Sequence, residues 1–232
     1  MKPVKIRPRR PELWDEQRIS LRTVERLSTY RRVLEDLNGA GVEHVYSHQL
    51  AKAVGVTPAQ LRRDLSHFGT FGSTARGYNV IALIRAISAD LGTDRVQNVV
   101  LIGLGNLGRT LLSYNNFEDR GFHIAAVFDI DADKCGKIFA GRRCYHMDEL
   151  EQVVSGLEAT VAILATRRTG VDQLVTRLAR LGINGILNFV PKALVSPPGM
   201  FIEDVDISSK LEKLSFLAKN VPRDEALPDL QE

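Results

Sequence analysis

The chain has 232 residues, of which 44% are hydrophobic and 25% charged, and a formal net charge of +3. This is an ordinary globular composition with room for two small domains. No apolar run reaches the length of a membrane span, and the charged start MKPVKIRPRRPELWDEQ lacks the apolar stretch of a secretory signal.

Charge is uneven along the chain. Residues 1–100 hold 16 Lys/Arg against 10 Asp/Glu, and residues 101–232 hold 15 against 18. A basic front half suggests a polyanionic partner for that part. Residues 1–20 are basic and Pro-rich and read as a flexible arm.

From Leu21 to Leu37 the apolar positions Leu21, Val24, Leu27, Tyr30, Leu34 and Leu37 recur every three or four residues. That spacing predicts a helix with one buried face, ended by Gly39 and Gly41. Ser47 is placed to cap a short helix that stops at Gly55. Thr57 caps the next helix, with Pro58 at its first position and Gln60 completing a T-x-x-Q capping box. There Leu61, Leu65 and Phe68 face inward and Arg62, Arg63, Ser66 and His67 face outward. Two short helices around a glycine turn, the second carrying arginines outward, form a helix-turn-helix pattern. FGTFGSTARGYNV then reads as a β-hairpin, the wing of a winged helix, with Arg76 near its tip to reach a groove or a phosphate. A helix over 81–90 closes this domain at residues 21–90. His44, His48 and His67 form no metal-ligand pattern.

Residues 91–205 open a second domain. VVLIGLGNLGRTLLSYNNFEDRGFHIAAVFDID, residues 99–131, is a buried strand, a glycine turn, a helix and a second strand with an acidic end. Gly103, Gly105 and Gly108 have G-x-G-x-x-G spacing, which allows a tight turn, close approach of a pyrophosphate and close helix packing. Leu104, Asn106 and Leu107 complete the turn and open the helix, whose free N–H groups favour phosphate. Asp129 follows Gly108 by 21 residues, placed to accept from both ribose hydroxyls and to repel a 2′-phosphate. This arrangement predicts an NAD-type site and no metal. Further on, helices near 133–139, 148–155 and 170–181 alternate with strands at 159–165 and 184–189, which means a parallel doubly wound sheet of the Rossmann kind. Cys135 and Cys144 read as reduced thiols. Arg167 and Arg168 follow a parallel strand at its carboxyl end, where they bind a ligand phosphate or project into water. Asp206 opens a final helix over 206–220 with the stripe Ile207, Leu211, Leu214 and Leu217, which must pack on this subunit or on another. The tail 221–232 reads as disordered.

AQLRRDLSHFGTFG, GYNV, GLGNLGRTLL, SYNNFEDRGF, FDID, YHMDEL, GILNFVP and VDISSKLEKLSF together resemble the redox-sensing transcriptional repressors called Rex, over residues 20–218. The resemblance implies a cytoplasmic homodimer with an N-terminal winged helix, a C-terminal Rossmann domain and a last helix swapped between subunits. It implies double-stranded operator DNA as partner and NADH or NAD as effector, with NADH releasing the DNA. It places Phe189, of the GILNFVP motif, at the cofactor. It also implies a switch in which Arg26, Tyr114 and Asp206 of the partner exchange contacts. Two stretches depart from the family pattern: the wing tip Ser73-Thr74-Ala75-Arg76, and Thr166-Arg167-Arg168-Thr169 where a small apolar turn is usual. An NAD-dependent oxidoreductase, or another nucleotide-sensing regulator with a different ligand preference, is the alternative. An enzyme would need an acid/base on a second domain. Only about 40 residues follow the Rossmann core, and Tyr145 and His146 belong to a family motif, so the chain reads as no enzyme. A coenzyme A-binding ligase subunit shares the glycine turn but has no helix-turn-helix in front.

Overall fold

A computed structural model describes residues 20–66, 72–73, 77–114 and 116–220. They divide into two compact units, one ending at Arg95 and the other beginning at Val96.

The first unit runs α1 (Leu21–Gly39), β1 (His44–Val45), α2 (Ser47–Val54), α3 (Pro58–Ser66), β2 (Gly72–Ser73), β3 (Gly77–Asn79) and α4 (Val80–Asp90). The apolar spacing in α1 holds for its middle: Leu27, Tyr30 and Leu34 are fully buried with Leu50, Leu61, Leu65, Leu83 and Ile87 from the other helices, whereas Leu21 at the helix start stays 61% exposed. Strands β2 and β3 form the expected antiparallel hairpin. The sequence reading missed β1, a two-residue strand that pairs with β3 and makes the order β1-β3-β2. Two residues carry no readable alternation. Ser47 is not the cap of α2 but its first residue. Tyr46 precedes the helix, and the Gln49 side chain accepts from the Tyr46 N–H at 2.9 Å. Thr57 does accept from the Gln60 N–H at 3.1 Å, but the Gln60 side chain leaves the capping box for Asp64.

The second unit is a seven-stranded sheet. Its elements are β4 (Gln97–Ile102), α5 (Asn106–Leu112), α6 (Asn116–Asp119), β5 (Phe122–Asp129), β6 (Ile138–Phe139), β7 (Arg142–His146), α7 (Leu150–Val154), β8 (Val161–Leu164), α8 (Val171–Arg180), β9 (Gly185–Asn188), β10 (Phe201–Asp204) and α9 (Ile207–Lys219). The order is β10-β9-β8-β4-β5-β7-β6, parallel except for β6. Alternate residues of β4 serve opposite faces. Val100 and Ile102 pack with α7 and α8, while Val99 and Leu101 pack with Leu104 and half-buried Leu111 and Leu112 of α5. Chain connections leave β4 in opposite directions, so the crevice of the doubly wound fold opens at its carboxyl end.

The helix expected near 133–139 is absent. Gly136 and Gly141 both take positive φ there, and the segment turns twice to make the β6–β7 hairpin. The helix expected over 148–155 begins as a 3-10 turn and is α-helical only over Leu150–Val154. Strand β10, unread in the sequence, extends the sheet beyond β9. Asp206 caps α9, its carboxylate accepting from the Ser208 and Ser209 N–H groups at 2.9 and 3.2 Å. No residue of α9 is buried. Ile207, Leu211, Leu214 and Leu217, together with Phe216, stay 48–67% exposed.

Candidate dinucleotide crevice and exposed recognition helix

The three glycines of the turn differ in what surrounds them. Gly103 has φ +99°, and a side chain there would put its Cβ 2.5 Å from the Ala165 carbonyl oxygen. Gly108 lies in α5 so close to the turn that a Cβ would stand 2.0 Å from the Gly103 oxygen. Both are demanded by the protein's own packing. Gly105 is different: φ is −77°, and a Cβ there would meet nothing within 4 Å. Neither backbone conformation nor packing calls for glycine at 105. The space it keeps clear adjoins the start of α5 and its free N–H groups, which suit an anionic group. Leu104 is fully buried, whereas Asn106 and Leu107 are exposed at the helix start.

Asp129 ends β5 beside this turn and is 8% exposed. Its Oδ2 accepts from the Leu104 N–H at 2.7 Å and from Lys134 Nζ at 3.2 Å, and its Oδ1 from the Asp131 N–H at 2.9 Å. Burial pushes its pKa up, but the two backbone donors and the ammonium outweigh it and hold the carboxyl below its usual range. Three of about four lone-pair positions are therefore taken. Lys134 also pairs with Asp131 at 3.2 Å.

On the other side of β4, the Ala165 N–H donates to Ile102 and the Phe189 N–H to Leu164, at 2.8 and 2.9 Å. Half-buried Phe189 packs in the same cluster as Ala165 and Leu104. Arg167 and Arg168 are exposed, and among the described residues their side chains make no hydrogen bond or ion pair.

In the first unit, Arg62, Arg63 and Ser66 lie exposed on α3. Arg62 donates to Ser47 Oγ at 3.2 Å, and the Ser66 hydroxyl to the Arg63 carbonyl at 2.7 Å. His67 and Arg76 fall outside the described residues. Beneath the exposed face sits Asp64, 2% exposed. Its carboxylate accepts from Arg26 Nε and Nη2 at 2.7 and 2.8 Å, from the Tyr30 hydroxyl at 2.8 Å, and from Gln60 Nε2 at 2.8 Å. Four donors on two oxygens satisfy it fully. Burial opposes the charge, and Arg26, Tyr30 and Gln60 together hold the Asp64 pKa below the usual carboxylate value. The same contacts push the Tyr30 hydroxyl pKa up, by burial first and then by the bond to Asp64.

In this chain the Arg26 guanidinium is bound to Asp64, and leaving would strand a buried carboxylate. Tyr114 is half-exposed, packs edge-on against Phe117 with ring centroids 5.1 Å apart, and accepts from Asn116 Nδ2 at 2.9 Å. Asp206 is engaged as the cap of α9.

Comparison with known proteins bears on both units. Residues 18–66 match the family described as a putative DNA-binding protein N-terminus, and residues 94–192 match the CoA binding domain. The redox-sensing transcriptional repressor Rex of Carboxydothermus hydrogenoformans is 41% identical over 202 residues, spanning 87% of this chain and 96% of the relative. The Rex repressor of Streptomyces avermitilis is 39% identical, over 88% of this chain and 81% of its own length. The chain belongs to the Rex family of redox-sensing transcriptional repressors. It is a family of regulators rather than enzymes, so Tyr145 and His146 need no catalytic role. Solved Rex-family structures agree in fold. RSP superposes with a TM-score of 0.78 at 31% identity, covering 87% of this chain and 94% of that one. RSP in complex with beta-NAD+ and operator DNA gives 0.81 at 32% identity, covering 87% and 93%.

Within this Rex-family chain, two site features escaped the sequence reading. Asp64 sits in the basic stretch QLRRDL and looks like one more surface charge; its i, i+3 relation to Leu61 was the signal that it faces inward. Lys134 lies five residues past Asp129, at a distance that only the turn after β5 makes short.

Proposed function

We propose that this chain represses transcription by binding double-stranded operator DNA as a homodimer, and that NADH bound across the glycine turn releases it. Arg62, Arg63, Ser66, His67 and Arg76 are assigned to DNA. Gly103, Leu104, Gly105, Asn106, Leu107, Gly108, Asp129 and Phe189 are assigned to the dinucleotide. The carrying observation is Gly105, which neither positive φ nor packing requires to be glycine and which leaves open space at the start of α5, in the same chain as an exposed arginine helix. RSP, a relative solved with beta-NADH and with beta-NAD+ plus operator DNA, supports the pairing of ligands.

The match to a CoA binding domain favours no coenzyme A site here, because Asp129 would face the phosphate on that ligand's adenosine ribose. No described helix is long and apolar enough to cross a membrane. The proposed DNA-bound role supports a cytoplasmic location. Helix α9, apolar along one side and uncovered in its own chain, is assigned to the partner subunit as a swapped element. The proposed domain limits are a basic arm to residue 20, a winged domain over 21–90, a dinucleotide domain over 91–205, the swapped helix over 206–220 and a tail. Arg26, Tyr114 and Asp206 of the partner remain the proposed switch; two units communicate only if some contact differs between states.

A gel shift with operator DNA tests this. Wild-type protein is expected to bind and to be released by NADH. Gly105→Val should bind DNA and ignore NADH. NADH-dependent release by Gly105→Val would place the effector elsewhere.

A further inference from the structure

We propose that Arg167 and Arg168 make this chain prefer the reduced to the oxidised dinucleotide, by setting two uncompensated positive charges on the nicotinamide half of the crevice. The proposal rests on the dinucleotide reading above.

The placement follows from the sheet. Strands β5, β4 and β8 are adjacent and parallel, and their carboxyl ends lie side by side. The glycine turn occupies the middle, at the end of β4. Asp129, on the β5 side, is the carboxylate that takes the adenosine ribose. The other half of a dinucleotide must then extend over the end of β8. The loop that starts there is Thr166-Arg167-Arg168-Thr169, and it abuts the turn: a Cβ on Gly103 would lie 3.0 Å from Thr166 Cα. Neither arginine has a carboxylate partner among the described residues. The other cation that follows a strand end on this side, Lys192 after β9, is paired with Asp172 in the first turn of α8. Its charge is cancelled locally, and that of the two arginines is not.

The two redox forms differ where this charge acts. The oxidised nicotinamide ring carries one positive charge and the reduced ring carries none; the diphosphate and both riboses are the same. Attraction of the arginines to the diphosphate is common to both forms and drops out of the ratio. Repulsion acts on the oxidised form alone. For charges on the order of 8 Å apart in a water-like dielectric, two arginines shift the affinity ratio about fivefold. Salt reduces the shift, since the Debye length is itself about 8 Å at physiological ionic strength.

The test is calorimetric titration of the full chain with NADH and with NAD+ at low ionic strength. The Arg167→Gln/Arg168→Gln variant is expected to lower the NADH-to-NAD+ affinity ratio about fivefold, mainly by binding NAD+ more tightly. Arg167→Lys/Arg168→Lys keeps the charge and should keep the ratio. The difference between the two variants should shrink in about 0.5 M salt. An equal loss of affinity for both ligands in the Gln variant would mean that the arginines hold the diphosphate, and would overturn the proposal. So would an unchanged affinity for both. Wild-type protein that binds neither dinucleotide, or Gly105→Val protein that binds both as wild type does, would instead overturn the crevice reading itself.

Discussion

The exposed helix of the winged unit and the glycine turn of the sheet unit are both positioned tightly, by opposite means. Helix α3 is pinned by a group that is present. Asp64 draws Arg26, Tyr30 and Gln60 onto one buried carboxylate, and this fixes which side of the helix faces out. The start of α5 is positioned by groups that are absent. Gly103 and Gly108 let strand, turn and helix approach to distances no side chain permits. A polar anchor can be weakened by degrees, through one partner or by protonation. Steric closeness cannot, because the obstructing atoms would be backbone.

The contrast is broken most severely at Gly108. Gly108→Val places its Cβ on the Gly103 carbonyl and should destabilise the sheet unit by about 3 kcal/mol or more. Two-transition thermal unfolding should show the sheet unit melting early and the winged unit unchanged. A single unchanged melt would show that the turn adapts and that steric absence is not what positions it.

Asp64→Ala comes next. It leaves Arg26 and the Tyr30 hydroxyl without their acceptor. Breaking a buried pair costs about 3–5 kcal/mol, toward the lower end here because Arg26 is 27% exposed. Urea unfolding of the winged unit reads this directly. The same group sets an acid limit. Its folded pKa lies below the unfolded value of about 3.9. Its contribution is therefore complete above that value and is lost as pH falls through the folded one. The winged unit should lose stability below about pH 4, and Asp64→Ala should remove that part of the pH dependence.

Arg62→Ala or Arg63→Ala sharpens the comparison by touching the exposed face alone. Each should cost about 1–3 kcal/mol in operator discrimination, with no change in unfolding midpoint or NADH affinity. Fluorescence anisotropy with operator and unrelated DNA separates base reading from phosphate contact. Unchanged binding in both would remove α3 from the DNA surface. The smallest effect is expected at Asp129. Asp129→Asn keeps an acceptor for the Leu104 N–H but removes the charge facing a 2′-phosphate, so NADPH affinity should rise roughly fivefold relative to NADH. A wholly unchanged ratio would mean that the carboxylate is spent on Leu104, Asp131 and Lys134.

Much of the architecture is legible in the sequence. Periodicity located α1, α3, α4, α8 and α9, because each buries or offers one side of a helix. Glycine spacing located the turn, because no other residue accepts the positive φ at 103 or the backbone contact at 108. Short elements were not readable. Strands β1, β6 and β10 exist through pairing with β3, β7 and β9, and two to four residues hold no period of their own. The stretch 133–139, expected as a helix in the strand–helix alternation, instead turns into a hairpin: the glycines at 136 and 141 take positive φ and β7 offers a partner.

The amino-acid order by itself determined which residues carry chemistry: three glycines at fixed spacing, an acid at the end of β5, an arginine pair on an exposed helix face. Those are local facts of backbone freedom and side-chain direction. Only the tertiary structure decided how those groups are spent. Folding gave Arg26 to Asp64, turned three donors onto Asp129, left open space beside Gly105, and gave Arg167 and Arg168 no counter-charge among the described residues. Each outcome depends on residues distant in sequence, and a charge or a glycine takes its meaning from what the fold sets against it.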